Sequence, residues 1–342
     1  MQKVAIIGMG FMGAMHAQCY RQIASAQLVA FVDIDPARAE KVCKEIGVKL
    51  PIYSDLKSLL AKEVVDVIDI CLPTDLHAKF ALEAIAAGKN VFCEKPFALT
   101  VADAKKVRDA AKKKNVKMQI GQVLRFWPEY TAFTAFVKSK KAGKLLSLTL
   151  QRRAGAPTYS SNQWLLNGKR SGGAALDLHI HDTDYVISLL GKPKAVSSRG
   201  TVDKRGMTHI FTTYDYGKSP VVQAEGGWNY PDTWGFQMAF QAIFEKGAVE
   251  MDSSKSPSMV YTIEGQPKKT LEVAEVKAGS STAKTGNISG LGGYLLELES
   301  FIQSLEKKKA PVIATPDQGM ESVRVTLAEM KSVSLGGKSV KV

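Results

Sequence analysis

An apolar segment that ends in a glycine-rich turn places the strongest constraint on the fold of this chain. Residues 4–13 read VAIIGMGFMG, so a strand-like run leads into the spacing Gly8-x-Gly10-x-x-Gly13. Glycines at this spacing permit a tight turn, a close approach of the backbone to a pyrophosphate, and close packing of a helix on a strand. A helix that begins near Met12 directs unpaired N–H groups towards such phosphates. The segment therefore predicts a dinucleotide site rather than an incidental glycine-rich turn.

An acidic residue follows at the distance expected for such a site. Asp33 lies twenty residues after Gly13, at the end of a strand predicted at 28–32. Its carboxylate can accept hydrogen bonds from ribose hydroxyls and repels a 2′-phosphate, so NAD is favoured over NADP as the cofactor. Arg38 can offset part of that repulsion, although an exposed helix arginine is the simpler interpretation.

The first third of the chain alternates between strand and helix patterns. Apolar strands joined by helices are typical of a parallel, doubly wound α/β sheet, which we predict for a first domain at residues 1–122. Asp55, Asp75 and Thr100 are candidate N-caps of its helices. The predicted strands are at 4–7, 28–32, 51–53, 65–71, 91–93 and 118–121, and the predicted helices at 12–23, 36–46, 55–60, 76–87 and 101–114.

After Gln122 the pattern changes, and residues 123–342 are predicted to form an α+β domain. Several β-like segments between 145 and 276 alternate polar and apolar residues, which is typical of a mostly antiparallel sheet with one covered face. Helices are predicted at 174–190 and 295–305, with a mobile loop at 277–290 between the β segments and the second helix. A final helix near 316–334 begins at a capping sequence, Thr315 to Gln318, and is expected to pack against the first domain.

Charge and cysteine usage restrict the other classes of function. The 342 residues carry a net charge of +13, but the basic runs at 112–114, 138–144 and 307–309 fall at predicted helix ends and lack interleaved aromatic residues. We therefore expect no nucleic-acid partner. No apolar run is long enough to cross a bilayer, so no membrane association is expected. The four cysteines form no C-x-x-C pair, which indicates buried thiols in the reducing cytoplasm and no metal site.

Two further segments carry residues suited to proton and charge transfer. Lys95 follows a predicted strand whose carboxyl end faces the cofactor, and Pro96 after it can fix an unusual turn with a cis bond. Asp177 and His181 are four residues apart on a predicted helix, so a carboxylate lies beside an imidazole and can orient it. A helix-start aspartate and an exposed histidine explain the second segment equally well when it is taken alone.

In combination, these motifs resemble the glucose–fructose oxidoreductase, inositol dehydrogenase and rhizopine catabolism (Gfo/Idh/MocA) family over almost the whole chain. The resemblance implies a Rossmann domain followed by an α+β domain whose large sheet forms a homodimer or homotetramer interface. It also implies that Lys95, Asp177 and His181 are catalytic. The matching motifs are Gly8-x-Gly10-x-x-Gly13, Asp33, Pro73-x-x-x-His77, Glu94-Lys95-Pro96, Arg125-Phe126-x-Pro128-x-Tyr130, Gly172-Gly173 and Asp177-x-x-x-His181-x-x-Asp184.

The expected function is an NAD-dependent oxidoreductase acting on a secondary alcohol or ketone of a sugar, sugar derivative or inositol. An NADPH-dependent carbonyl reductase and a non-catalytic NAD(P)-binding sensor stay open as alternatives. His179 replaces a small family residue and is either packed or directed into the pocket. The expected cofactor-binding residues are Gly8, Gly10, Phe11, Met12, Gly13, Asp33, Ile34, Arg38, Cys71, Leu72, Pro73, Thr74, His77, Glu94 and Lys95; the expected substrate-binding residues are Lys95, Arg125, Trp164, Asp177, His181 and Asp184.

Overall fold

A computed structural model of the protein describes residues 1–276 and 291–342 and divides the chain into two compact units. The first contains Met1–Val123, Tyr159–Trp164 and residues 291–321, and the second contains Leu124–Thr158, Leu165–Val276 and Ser322–Val342. The loop predicted at 277–290 lies outside the described residues. No helix within the described ranges has both the length and the apolar character needed to span a membrane.

The strands of the described residues follow the predicted pattern closely in the first unit. In chain order they are β1 (Gln2–Ile7), β2 (Ala26–Val32), β3 (Ile52–Tyr53), β4 (Val67–Ile70), β5 (Asn90–Glu94), β6 (Met118–Gly121), β7 (Leu145–Arg153), β8 (Ala195–Asp203), β9 (Gly206–Asp215), β10 (Val221–Gly227), β11 (Gln237–Phe244), β12 (Gly247–Asp252), β13 (Met259–Ile263), β14 (Lys269–Thr270) and β15 (Val340–Lys341). The β-like pattern predicted as far as residue 276 therefore ends at Thr270.

Helices connect and cover these strands. In chain order they are α1 (Phe11–Tyr20), α2 (Pro36–Glu45), α3 (Leu56–Lys62), α4 (Thr74–Ala86), α5 (Val101–Lys114), α6 (Pro128–Ser139), α7 (Gly168–Ser171), α8 (Ile180–Leu190), α9 (Gly292–Glu306) and α10 (Pro316–Ser334). The side chains of Asp55 and Thr100 cap α3 and α5 as predicted. The prediction for Asp75 is wrong, because Pro73 precedes α4 and Asp75 lies in its first turn.

The first unit contains a parallel six-stranded sheet in the order β3-β2-β1-β4-β5-β6. The strand order reverses between β1 and β4, and ligands of such sheets bind at this point, beyond the carboxyl ends of the strands. Val4, Ile68 and Phe92 are fully buried in the three central strands. The predicted doubly wound α/β fold is confirmed.

The second unit contains a nine-stranded sheet in the order β14-β13-β12-β11-β7-β10-β9-β8-β15. Only the β7–β10 pair is parallel among these strands, so the sheet is mostly antiparallel, as predicted. Leu148 and Leu150 on β7 are buried with Thr149 more accessible between them, and Phe240 and Ala242 on β11 are buried with Gln241 exposed between them. This alternation gives the sheet one packed face and one open face.

Candidate active site

The three glycines of the first turn have different spatial requirements. Gly8 has φ +90°, and a Cβ built on it would lie 2.6 Å from the carbonyl oxygen of Cys71. A Cβ on Gly13 would collide with the carbonyl oxygen of Gly8. By contrast, a Cβ on Gly10 would have no described atom within 4 Å. Gly8 and Gly13 are therefore needed for packing, whereas Gly10 leaves open space beside the turn.

That open space lies at the N-terminus of α1, a helix of ten residues whose N-cap is Gly10. The cap has no side chain, so the first N–H groups of the helix are left for a ligand rather than for a capping oxygen. Phe11, Met12 and Gly13 form the first turn of this helix. The arrangement fits the pyrophosphate of a dinucleotide, which combines negative charge with hydrogen-bond acceptors.

Asp33 is fixed directly beside the same turn. Its Oδ2 atom accepts a hydrogen bond of 2.7 Å from the backbone N–H of Met9. Its Oδ1 atom accepts hydrogen bonds of 2.8 Å from the Asp35 backbone and from Arg38 Nη2. Since each carboxylate oxygen has two acceptor sites, Oδ2 keeps one site for a ribose hydroxyl. Ile34, next to it, is 83% exposed and offers an apolar surface at this edge.

The segment Tyr159–Trp164 belongs to the first unit although the residues on either side of it belong to the second. Arg38 Nη1 donates a hydrogen bond of 2.8 Å to Ser161 Oγ. The ring of Tyr159 lies 5.9 Å from the ring of Phe11, between centroids. Both contacts place the segment at the glycine-rich edge. Trp164, at its end, is half-buried.

The turns after β4 and β5 are linked by a buried histidine. His77 Nδ1 and Nε2 each lie 2.8 Å from a carbonyl oxygen, of Pro96 and Leu72 respectively. Both ring nitrogens are thus occupied, which argues against the expected direct contact of His77 with a cofactor. The Cys71 thiol likewise faces inward, with Sγ 3.2 Å from His16 Nδ1. Pro73 and Thr74 begin α4.

Lys95 stands at the end of β5 in an otherwise buried segment. Every residue from Val91 to Ala98 is buried except Lys95, which is half-buried. The Lys95–Pro96 peptide bond is cis, as the sequence suggested. The Lys95 N–H donates a hydrogen bond of 3.1 Å to Oε2 of Glu94. This hydrogen bond holds the Glu94 side chain against the backbone N–H of the lysine.

The Asp177–His181 segment departs from the predicted regular helix. Residues Ala175–His179 form a π-helical turn that continues into α8. From Gly172 to Val186, every residue is buried except Asp177 and His181, which are half-buried. Such π turns are rare in proteins overall, but those that occur frequently lie at functional sites. The segment thus exposes the two polar residues selected from the sequence and buries their neighbours.

His179 is packed inside the second unit, which resolves the two alternatives for this residue. It is fully buried, and its Nε2 atom lies 3.3 Å from Glu329 Oε2 and 3.4 Å from the Tyr214 hydroxyl. Gly226 makes room for it, because a Cβ at that position would lie 2.8 Å from the His179 ring. Gly226 thus provides the space for a side chain larger than the small family residue, and Glu329 and Tyr214 provide its polar contacts.

Arg125 and Asp184 form a buried ion pair, which argues against direct substrate contact by Asp184. Arg125 Nε and Nη2 donate to the two Asp184 carboxylate oxygens at 2.7 and 2.8 Å. The Asp184 side chain is 1% exposed and also accepts a hydrogen bond from Ser322 Oγ. Three of its four acceptor sites are thus used within the unit. Burial lowers the pKa of Arg125, but the charge of Asp184 and its hydrogen bonds together outweigh burial and raise it.

A polar group inside the first unit was not predicted from the sequence. It consists of His16, Asp69 and Glu297. All three are fully buried. One signal was available: Asp69 interrupts the apolar run of β4, and a carboxylate in a buried parallel strand requires a partner. His16 lies on α1, whose residues are mostly buried, and Glu297 lies on α9; on neither helix does the sequence pattern alone distinguish a buried polar residue from an exposed one.

Comparison with known families assigns both parts of the chain. Residues 2–122 match the sequence model of an oxidoreductase family described as an NAD-binding Rossmann fold. Residues 135–342 match the model of the C-terminal alpha/beta domain of the same family. Inositol 2-dehydrogenase from Rhizobium meliloti is 28% identical over 346 aligned residues, which cover 97% of each chain. Myo-inositol 2-dehydrogenase from Thermotoga maritima is 25% identical, over 97% of this chain and 98% of its own.

Solved structures share the fold over the full length. A levoglucosan dehydrogenase in complex with NADH and levoglucosan has a TM-score of 0.84 at 20% identity and covers 100% of this chain and 99% of its own. An oxidoreductase from Agrobacterium radiobacter in complex with NAD+, L-tartaric acid and magnesium has the same TM-score at 18% identity, over 99% and 98% of the two chains. With both domain models matched in order, this chain belongs to the Gfo/Idh/MocA oxidoreductase family, with an NAD-binding Rossmann fold and the C-terminal alpha/beta domain of that family.

Proposed function

We propose that this protein is an NAD-dependent dehydrogenase that acts on a secondary alcohol of a sugar, sugar derivative or inositol. Inositol dehydrogenases that align over the full length of the chain support this substrate class. The carboxylate of Asp33 beside the glycine-rich turn supports NAD over NADP. Lys95, Asp177 and His181 are the proposed catalytic residues.

Each catalytic residue has a role that follows from the reaction. The bound nicotinamide supplies the hydride chemistry. His181 takes or returns the hydroxyl proton at a ring nitrogen. Asp177 orients that ring and favours its protonated form. The Lys95 ammonium donates a hydrogen bond to the reacting oxygen and stabilises the charge that develops on it.

One observation carries the proposal most directly: between Gly172 and Val186, only Asp177 and His181 are accessible. A polar pair retained for solubility would accompany other exposed positions on the same helix face, as on a surface helix. Here the remaining polar residues of the segment, His179 and Asp182 to Asp184, are buried. Accessibility is thus restricted to the two groups that proton transfer requires.

The proposal is tested by cofactor titration and a substrate panel. We expect fluorescence titration to show tighter binding of NADH than of NADPH. In the substrate panel, we expect turnover of at least one sugar or inositol. Lys95→Met should lower kcat by about 10²- to 10³-fold, while NADH affinity changes little. Lys79→Met, at an exposed position on α4, is the matched control.

Other outcomes of the same experiment identify the alternatives. Tight NADH binding without turnover of any polyol or carbonyl compound would favour a sensor. Preferential NADPH binding with carbonyl reduction would favour the reductase. Unchanged turnover in Lys95→Met would remove that residue from its proposed role.

We also infer that the open face of the nine-stranded sheet joins two copies of the chain, as a dimer or within a tetramer. Val221 and Ile243 are both 54% exposed, and both pair with Ser147 of the strand between them. Phe211, 52% exposed and paired with Glu225 of β10, lies on the same face four residues further along. Apolar patches of this kind commonly mark interfaces. Sedimentation of Ile243→Lys should show monomers, and an unchanged assembly would contradict the inference.

A cytoplasmic location is proposed on the chemistry of the cysteines. Cys19, Cys43, Cys71 and Cys93 are all free thiols, as a reducing compartment permits. Burial raises the pKa of Cys19 to about 12, so this thiol stays protonated and unreactive. Fractionation of cells producing the native chain tests the location directly, and recovery outside the cytoplasm would contradict it.

A further inference from the structure

A buried polar cluster lies within the first unit, next to the end of β5. His16, on α1, is fully buried, and its Nδ1 atom lies 2.8 Å from Asp69 Oδ2 on β4. Its Nε2 atom lies 3.1 Å from Glu94 Oε1 on β5. The nearest ligand atoms of His16, Glu94 and Glu297 of α9 all lie within 4.8 Å of one another. A single imidazole is therefore surrounded by carboxyl groups from three elements.

The contacts of His16 fit its protonated form. The ring forms a hydrogen bond with Asp69 at Nδ1, and a positive charge on the ring attracts the Glu94 carboxylate, whose Oε1 atom lies 3.1 Å from Nε2 without the geometry of a hydrogen bond. Burial lowers the pKa of His16, but the charge of Asp69, its hydrogen bond to the ring and the contact with Cys71 together raise the pKa well above the ordinary value. Burial raises the pKa of the Cys71 thiol itself.

Glu297 is the neutral member of the cluster. Burial and the nearby charge of Glu94 raise the pKa of Glu297 well above its ordinary value. Neither of its carboxyl oxygens has a hydrogen-bond partner among residues 1–276 and 291–342. One imidazole thus stands among three carboxyl groups, and burial favours the neutral form of one of them, Glu297. The titratable groups around His16 are Asp69 and Cys71 from β4 and its end, Glu94 from β5, Glu297 from α9, and Cys19 and Tyr20 from α1.

Glu94 connects this cluster to Lys95. Its Oε1 atom faces His16, and its Oε2 atom accepts the hydrogen bond from the Lys95 N–H. Gly121 of β6 leaves the space for this carboxylate, because a Cβ there would lie 2.8 Å from Oε1. Loss of the His16 contact would leave Glu94 free to rotate away from the Lys95 backbone.

We propose that His16 is a positioning residue for Lys95: its ring, anchored on Asp69, holds the Glu94 carboxylate through the 3.1 Å ionic contact at Nε2, and Glu94 fixes the backbone from which the lysine extends. Asp69 keeps the ring in the required form. The inference rests on the proposed function, in which Lys95 contacts the reacting oxygen. It adds a requirement for a buried charge that never touches cofactor or substrate.

Two substitutions at His16 separate the two contacts. A glutamine amide reaches approximately as far as Nε2 and keeps a polar contact with Glu94, whereas an asparagine amide reaches as far as Nδ1 and keeps only the contact with Asp69. We expect His16→Asn to lower kcat about tenfold more than His16→Gln. The NADH dissociation constant and the polyol KM should stay within about twofold in both. Equal losses in the two variants would overturn the proposal.

The Asp69→Asn variant tests the proposal through the pH dependence of kcat. It also provides the test if His16→Asn does not fold. Without the Asp69 charge, the pKa of His16 falls towards neutrality, so the ring deprotonates as the pH rises. The kcat of Asp69→Asn should then fall with rising pH along a limb that the wild type lacks. A pH profile of Asp69→Asn parallel to that of the wild type would contradict the positioning role.

Histidine ¹⁵N NMR tests the cluster without any turnover. The His16 ring should show imidazolium nitrogens at neutral pH in the wild type and lose them at lower pH in Asp69→Asn than in the wild type. Neutral-imidazole signals, or one tightly bound metal ion per chain that His16→Asn abolishes, would overturn the proposal. Turnover retained in Lys95→Met would instead contradict the proposed function and leave these NMR results unaffected.

Discussion

The Asp33 carboxylate accepts a hydrogen bond from the backbone N–H of Met9, so the acidic residue and the glycine-rich turn form one rigid element. The two residues are 24 positions apart and come from the ends of different strands. The contact presents a negative oxygen at a fixed place beside the turn. Cofactor choice is therefore set before any ligand arrives, which is the condition for strong discrimination.

Substitution of Asp33 should change cofactor preference. Asp33→Ser removes the carboxylate and its repulsion of a 2′-phosphate, and it releases Arg38 from its 2.8 Å contact. We expect NADH affinity to fall by about 10- to 100-fold, because hydrogen bonds to charged groups contribute about 1.5–3 kcal/mol. NADPH affinity should rise. Fluorescence titration measures both.

Asp35→Ser is the matched control for that substitution. Asp35 is exposed and caps α2 through the Ala37 N–H, a role that serine can retain. Its cofactor affinities should match those of the wild type. An unchanged NADH to NADPH ratio in Asp33→Ser would contradict the assignment of Asp33.

The glycines of the turn should separate binding from folding. Gly10→Ala adds a methyl group in open space, so the free energy of unfolding should change little while NADH affinity falls. Gly13→Ala forces a collision with the Gly8 carbonyl and should destabilise the first unit itself. Thermal unfolding and NADH titration of both variants make the comparison. Wild-type NADH affinity in Gly10→Ala would show that the cofactor does not approach this position.

Local features of the sequence predicted local structure well. The helix-start sequence at Thr315 forms the predicted capping box: the Gln318 N–H bonds to Thr315 Oγ1 at 3.3 Å, and the Thr315 N–H bonds to Gln318 Oε1 at 3.0 Å. These groups are three residues apart, so their meeting depends on the helix alone. The same holds for the repeated strand and helix patterns of the first unit.

Features that depend on distant packing were not predictable. The π turn at 175–179 follows Gly173, which has a positive φ and packs against the Met207 backbone of β9. Asp184 is separated by 59 residues from Arg125 and by 138 from Ser322. Sequence pattern placed it on a helix but could not identify the partners that use its oxygens. The partners of Asp184 therefore decide whether it contacts substrate or forms a structural ion pair.

The Arg125–Asp184 pair should act on stability rather than on substrate affinity. Asp184→Ala leaves a buried guanidinium without its partner, which costs about 3–5 kcal/mol of the free energy of unfolding. The double variant Arg125→Met/Asp184→Leu should recover much of that loss, with a wild-type polyol KM. Urea unfolding and steady-state kinetics measure both quantities. Recovered stability with a raised KM would restore the expectation that these residues contact substrate.

Glu225 should make stability depend on pH in the acid range. Burial alone raises its pKa, but hydrogen bonds from His209 and Arg153 and the Arg153 charge lower it from 4.5 to about 2. A carboxyl whose pKa is lower in the folded state stabilises it above the unfolded pKa and loses that contribution as protons bind. The free energy of unfolding should therefore fall as the pH decreases from 4.5 to 2.

Replacing Glu225 by glutamine isolates this contribution. Glu225→Gln keeps the size of the side chain but cannot titrate, so its free energy of unfolding should decline less steeply between pH 4.5 and 2 than that of the wild type. Glu264→Gln, at an exposed position, should follow the wild-type curve. Urea unfolding across the range gives the slopes. Coincident slopes for Glu225→Gln and wild type would mean that the bonds from His209 and Arg153 do not hold the carboxylate in its charged form.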